Sequence, residues 1–71
     1  MRELSLGEPI EANYVVHCYR DNKEYRSTGI KIDGSYIMCY FRHFSVHIPR
    51  VYTKDMITPD EYGIYFKVFA P

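Results

Sequence analysis

The feature that most restricts what this chain can become is Asp33-Gly34, set between residues 26–32 and 35–41, two runs that favour extended backbone. A two-residue type I′ turn needs positive φ at both central positions, and Asp-Gly meets that need readily. Residues 24–41 therefore read as a β-hairpin with a fixed register. Register matters because side chains alternate between faces with a period of two, so it decides which of them lie inside. In this reading Ile32 stands opposite Ser35, Ile30 opposite Ile37, Thr28 opposite Cys39 and Arg26 opposite Phe41. One face collects Ile30, Ile32, Ile37, Cys39 and Phe41, an apolar set suited to a core. The other carries Tyr25, Ser27, Gly29, Lys31, Tyr36, Met38 and Tyr40, with a shallow gap where Gly29 opposes Met38.

The flanking sequence extends the same pattern. Residues 12–20 form a Val- and Tyr-rich strand, and Asp21, Asn22 and Lys23 are a polar break of hairpin-loop length. A three-residue loop there places Tyr19 opposite Tyr25, adding Tyr19, Val15 and His17 to the tyrosine side and Tyr14, Val16 and Cys18 to the core. After Arg42, where a bend or bulge would pass the chain to a second sheet, Phe44, Val46 and Ile48 alternate with His43, Ser45 and His47. Residues 50–57 read as a weaker strand. Thr58-Pro59-Asp60-Glu61 then fits a capping box with Pro at the first helical position, which predicts one helical turn over 58–62. A hairpin loop built on Pro59-Asp60 suits the same residues equally. Residues 64–69 close the chain as a strand with Ile64, Phe66 and Val68 on one side. Residues 1–11 form an arm, kept from helix by Gly7 and Pro9 and able to dock through Leu4, Leu6 and Ile10. The expected fold is all-β: a small barrel or sandwich of five to six antiparallel strands, with the arm followed by one domain over 12–71.

At 71 residues the balance of burial against chain entropy is close to zero, so self-association, most simply a dimer, is the expected supplement to the core. Eight tyrosines against four phenylalanines and no tryptophan fit half-buried strand faces, and they also fit a recognition surface, since tyrosine loses little entropy when fixed. Formal charge is zero overall, but residues 13–54 hold seven basic and three acidic residues, offset by acidic ends. No apolar leader opens the chain and no run approaches membrane-spanning length, which predicts an intracellular, cytoplasmic protein with reduced thiols.

Chemistry-bearing motifs are sparse. His43 and His47, with Cys39 four residues earlier, have a spacing that serves one metal ion on a helix. On a strand four residues span about 13 Å, so no metal or other cofactor is expected. The predicted second strand separates Cys18 from Cys39, which argues against a disulfide and for two small core residues. No nucleophile elbow, phosphate-cradling glycine loop or paired carboxylate is present, so the chain does not read as an enzyme. The expected role is an accessory factor or inhibitor that occludes a partner protein through Tyr19, Tyr25, Lys31, Tyr36, Met38 and Tyr40. Arg20, Arg26 and Arg42 are candidate contacts for an anion or nucleic acid. They support two alternatives: a single-stranded nucleic-acid binder with aromatic platforms beside basic groups, or a binder of a small anion such as a nucleotide at a dimer seam.

Overall fold

The computed structural model describes all 71 residues, Met1 to Pro71. Seven strands and one helical turn follow in the order β1 (Arg2–Glu3), β2 (Val15–Arg20), β3 (Lys23–Arg26), β4 (Gly29–Asp33), β5 (Tyr36–Tyr40), β6 (Ser45–Pro49), α1 (Lys54–Ile57) and β7 (Tyr65–Ala70). They make two antiparallel sheets, β1-β7-β2-β3 and β4-β5-β6, with no closed barrel. The fold is a small all-β sandwich. Val16, Cys18, Val68 and Ala70 from the first sheet meet Ile37, Cys39 and Ile48 from the second in one core, completed by Leu4, Ile10, Phe41, Tyr52 and Met56.

Both central turns differ from the expected geometry, with different consequences. Asp33 pairs with Tyr36, so the two loop residues are Gly34 and Ser35, and only Gly34 has positive φ (61°). That is the type II′ requirement, Gly at the first central position. Ile32 therefore faces Ile37, Ile30 faces Cys39, Lys31 faces Met38, and Gly29 faces Tyr40. The expected pairing slipped by two residues, and a slip of two preserves the faces. The first hairpin slipped by one. Asp21 (φ 54°) and Asn22 (φ 59°) form the type I′ turn, so Arg20 pairs with Lys23, Tyr19 with Glu24 and Cys18 with Tyr25. Tyr25 thereby turns to the core side and packs against the core cluster.

The long strand expected over residues 24–32 is two strands in different sheets. Ser27 is the last residue tied to the first sheet, its amide donating to Val16 O and its Oγ accepting from Val16 N, both at 2.9 Å. Thr28 is the first tied to the second, donating from its amide to Tyr40 O at 2.7 Å. The corner thus lies at Ser27-Thr28 rather than at Arg42, where the chain reverses through residues 41–44 and β6 pairs with β5. The cysteines consequently enter the shared core from opposite sheets, and both are free thiols.

Two expectations near the end of the chain are also corrected. The helical turn is Lys54–Ile57, in the stretch read as a weak strand, and it is anchored by buried Met56. Residues 58–62 are not helical. The Asp60 carboxylate accepts from the amides of Tyr62 (2.8 Å) and Ile64 (3.0 Å), which holds a tight turn and takes the donors away from a helix. At the other end the arm is woven in. Arg2 and Glu3 pair with Ala70 and Phe69, Leu4 and Ile10 are buried, and Leu6 stays exposed. Glu8 braces the arm, accepting from Arg2 Nη1 and Nη2 at 2.9 and 3.0 Å and from the Ser5 amide at 2.6 Å. These bonds, led by Arg2, pull its carboxyl down to about 2.

Candidate functional site

Ladder pairing lays out the outer face of β4-β5-β6 as three cross-strand rows. Gly29, Tyr40 and Ser45 form one, Lys31, Met38 and His47 the next, and Asp33, Tyr36 and Pro49 the third. Tyr40 therefore stands between two small residues, and a Cβ placed on Gly29 would meet nothing within 4 Å. Met38 sits centrally, half-buried, beside exposed Lys31 and His47. The Tyr36 ring leans on the His47 ring at 4.9 Å between centroids. Tyr36 and Tyr40 remain 48% and 44% exposed, whereas Ile37 and Cys39 on the opposite side of the same strand are fully buried. Four of the expected partner contacts, Lys31, Tyr36, Met38 and Tyr40, thus share one uncovered face.

Tyr19 does not join them. It lies on the outer face of the first sheet, stacked on Tyr65 at 4.6 Å with 8° between planes, and Lys67 Nζ stands 5.9 Å from its ring. Burial there raises its phenol above the ordinary range, with Glu24 next in effect. His17 packs on Phe69 at 4.7 Å in the same face. Its Nδ1 lies 2.7 Å from Glu24 Oε1, but out of line, so neither ring nitrogen makes a hydrogen bond. Tyr25 points inward and meets Phe44 edge-on at 5.3 Å. The six expected contacts are distributed over two outer faces and the interior.

The three expected arginines do converge. Arg20, Arg26 and Arg42 line one open cleft of about 490 Å³ between strand β3 and the loop 41–44, together with Glu24, Tyr25, Phe41, His43 and Phe44. The Arg20 guanidinium lies over the Phe44 ring, 4.9 Å from its centroid, and the other side of the aromatic floor is the Phe41–Phe44 stack at 4.6 Å and 11°. Sequence reasoning missed Phe41, His43 and Phe44 as cleft residues, and Tyr65 and Phe69 as surface aromatics. The latter pair was legible, because Tyr65, Lys67 and Phe69 alternate with the core-facing Ile64, Phe66 and Val68.

Both thiols are buried. Desolvation raises the Cys18 thiol and pushes Cys39 up to about 12. Tyr52 is buried too, donating from Oη to Glu3 Oε2 at 2.9 Å, and burial first, then this bond, lifts its phenol above the usual range. No group of three or more His, Cys, Asp or Glu side chains is placed to share a metal ion, and no helix is long and apolar enough to cross a membrane. No protein-family model, curated protein or solved structure matches the chain.

Proposed function

We propose that this chain is a non-enzymatic protein-binding module, an accessory factor or inhibitor that covers a partner with the outer face of β4-β5-β6. One observation carries the reading. Tyr36 and Tyr40 are each nearly half exposed and flank half-buried Met38 on the outer face of the sheet. Tyrosine side chains on a strand face offer large contact area at low entropic cost, with phenolic hydroxyls left to pair across an interface, and the flexible Met38 between them adapts to the partner's contour. Lys31 and Asp33 in neighbouring rows supply opposite charges that set orientation more than affinity. The partner's complementary patch is apolar, with acceptors for the phenols.

The test is affinity capture by the wild type and by a Tyr36→Ala/Tyr40→Ala variant shown by circular dichroism to be folded, each with a nuclease-treated control. Central aromatic anchors contribute about 2 kcal/mol or more each, so the double variant should weaken binding by well over tenfold. A protein retained by wild type after nuclease treatment and lost by the folded variant agrees with the proposal. Equal retention by both contradicts it. Sedimentation equilibrium separates the remaining occupant: a dimer that dissociates in the double variant makes a second copy of the chain the partner of this face.

A further inference from the structure

We propose that the cleft between β3 and the 41–44 loop is a binding site for a phosphate group, independent of the tyrosine face. The division of the five arginines argues for it. Arg2 is held by Glu8 at 2.9 Å and Arg50 by Glu11 at 2.6 Å, so both are neutralised within the fold. The other three all line this cleft, contributed by the end of β2, by β3 and by the 41–44 loop. Arg26 and Arg42 have no carboxylate within ion-pair distance, and Arg20 reaches only the Asp21 carboxylate, at 3.6 Å. His43 adds a fourth donor to the rim. The single acid there, Glu24, has its Oε1 2.7 Å from His17 Nδ1.

Arg26 and Arg42, which have no ion-pair partner, share the cleft with Arg20, and like charges gathered there repel one another until an anion relieves the repulsion. The Phe41–Phe44 stack beneath them is apolar, which lowers the local dielectric and strengthens attraction for a charge in the cleft. Contact with the Phe44 ring also restrains the Arg20 guanidinium, and its terminal nitrogens make no hydrogen bond within the fold, so less freedom is lost on binding. Three guanidinium groups and an imidazole exceed the needs of a carboxylate, whose two oxygens one arginine already satisfies. They match a dianionic phosphate, which spreads its charge over three terminal oxygens. The cleft volume of about 490 Å³ is that of a small-molecule site. A nucleobase is not what the floor recognises, because Phe41 occupies one face of Phe44 and Arg20 the other.

The test is a titration of the ¹⁵N-labelled protein at low salt with inorganic phosphate, AMP and adenosine, followed by amide shifts. The expected result is a saturable response to phosphate and AMP confined to residues 20, 24–26 and 41–44, with none to adenosine. Equal affinities assign free phosphate as the ligand, and tighter AMP places the group on a larger molecule; either supports the site. Arg26 and Arg42 are exposed, so Arg26→Gln/Arg42→Gln should keep its spectrum and melting temperature while weakening AMP about tenfold or more, the loss of two charge-assisted bonds. Arg42→Gln alone serves if the double variant is unfolded. Four results overturn the proposal: no saturable response to phosphate or AMP; shifts shared equally by Lys31, Lys54 and Lys67; adenosine binding as well as AMP; or undiminished AMP binding by the variants.

Discussion

Ile37 and Tyr36 are adjacent on β5 and point to opposite sides, so replacing each by alanine tests the face assignment on which the proposed function rests. Ile37 is fully buried, and removing such a side chain to Ala costs about 2–5 kcal/mol. Fully burying a large side chain stabilises by about 1.5–3 kcal/mol, and Tyr36 is only half buried, so Tyr36→Ala should cost about 1 kcal/mol. Part of that is the contact with the His47 ring. For 71 residues the unfolding entropy is on the order of 150 cal/mol/K, so 1 kcal/mol corresponds to about 7 °C in melting temperature. Thermal denaturation followed by circular dichroism should therefore show Ile37→Ala falling by about 15 °C or more and Tyr36→Ala by about 7 °C. A domain this size holds only about 4–10 kcal/mol in total, and where Ile37→Ala does not fold, Ile37→Val provides a milder loss of about 0.5–1.5 kcal/mol. Melts that show Tyr36→Ala as damaging as Ile37→Ala would refute the reasoning. If that damage grows with protein concentration, a second copy covers the face; if it does not, the ring is interior.

Acid should unfold the protein partly through Glu8. Its folded-state carboxyl lies near 2, below its ordinary 4.5, so the stability it supplies is fully present above about pH 4.5 and is lost as pH falls toward 2. Glu8→Gln should flatten the stability curve in that window, and an unchanged slope would contradict the role given to the Arg2 and Ser5 contacts. Native Cys18 and Cys39 should resist a thiol reagent at pH 8, because both are buried and their thiols are raised, Cys39 to about 12. Labelling as fast as a free cysteine in the folded protein would place at least one of them outside the core.

What could be read from the sequence, and what could not, follows from the period of two in strands. The apolar set Ile30, Ile32, Ile37, Cys39 and Phe41 was legible even though the turn residues were misassigned by one position, because that error shifts the pairing by two and leaves the faces intact. The first hairpin shows the opposite case. Reading its loop as three residues instead of the two, Asp21 and Asn22, shifts the pairing by one, which carried Tyr25 to the wrong side. The corner at Ser27-Thr28 had no local signal, since both residues suit extended backbone and only their partners, Val16 and Tyr40, distinguish the sheets. The arginine cleft depends on that corner. A basic middle segment was visible, but the convergence of Arg20, Arg26 and Arg42 needs β3 to lie against a loop fifteen or more residues further along. The turn Lys54–Ile57 is too short for periodicity to show, and the buried Met56 that anchors it is placed by tertiary packing.

The central claim, that the outer face of β4-β5-β6 is the surface that meets a partner, is tested most directly by hydroxyl-radical footprinting of the free protein and of the captured complex. Tyr62, 77% exposed in the 60–64 turn, serves as the internal reference. Oxidation of Tyr36, Met38 and Tyr40 should fall several-fold in the complex while Tyr62 keeps its rate. Unchanged oxidation of those three residues in a complex that protects another face would contradict it.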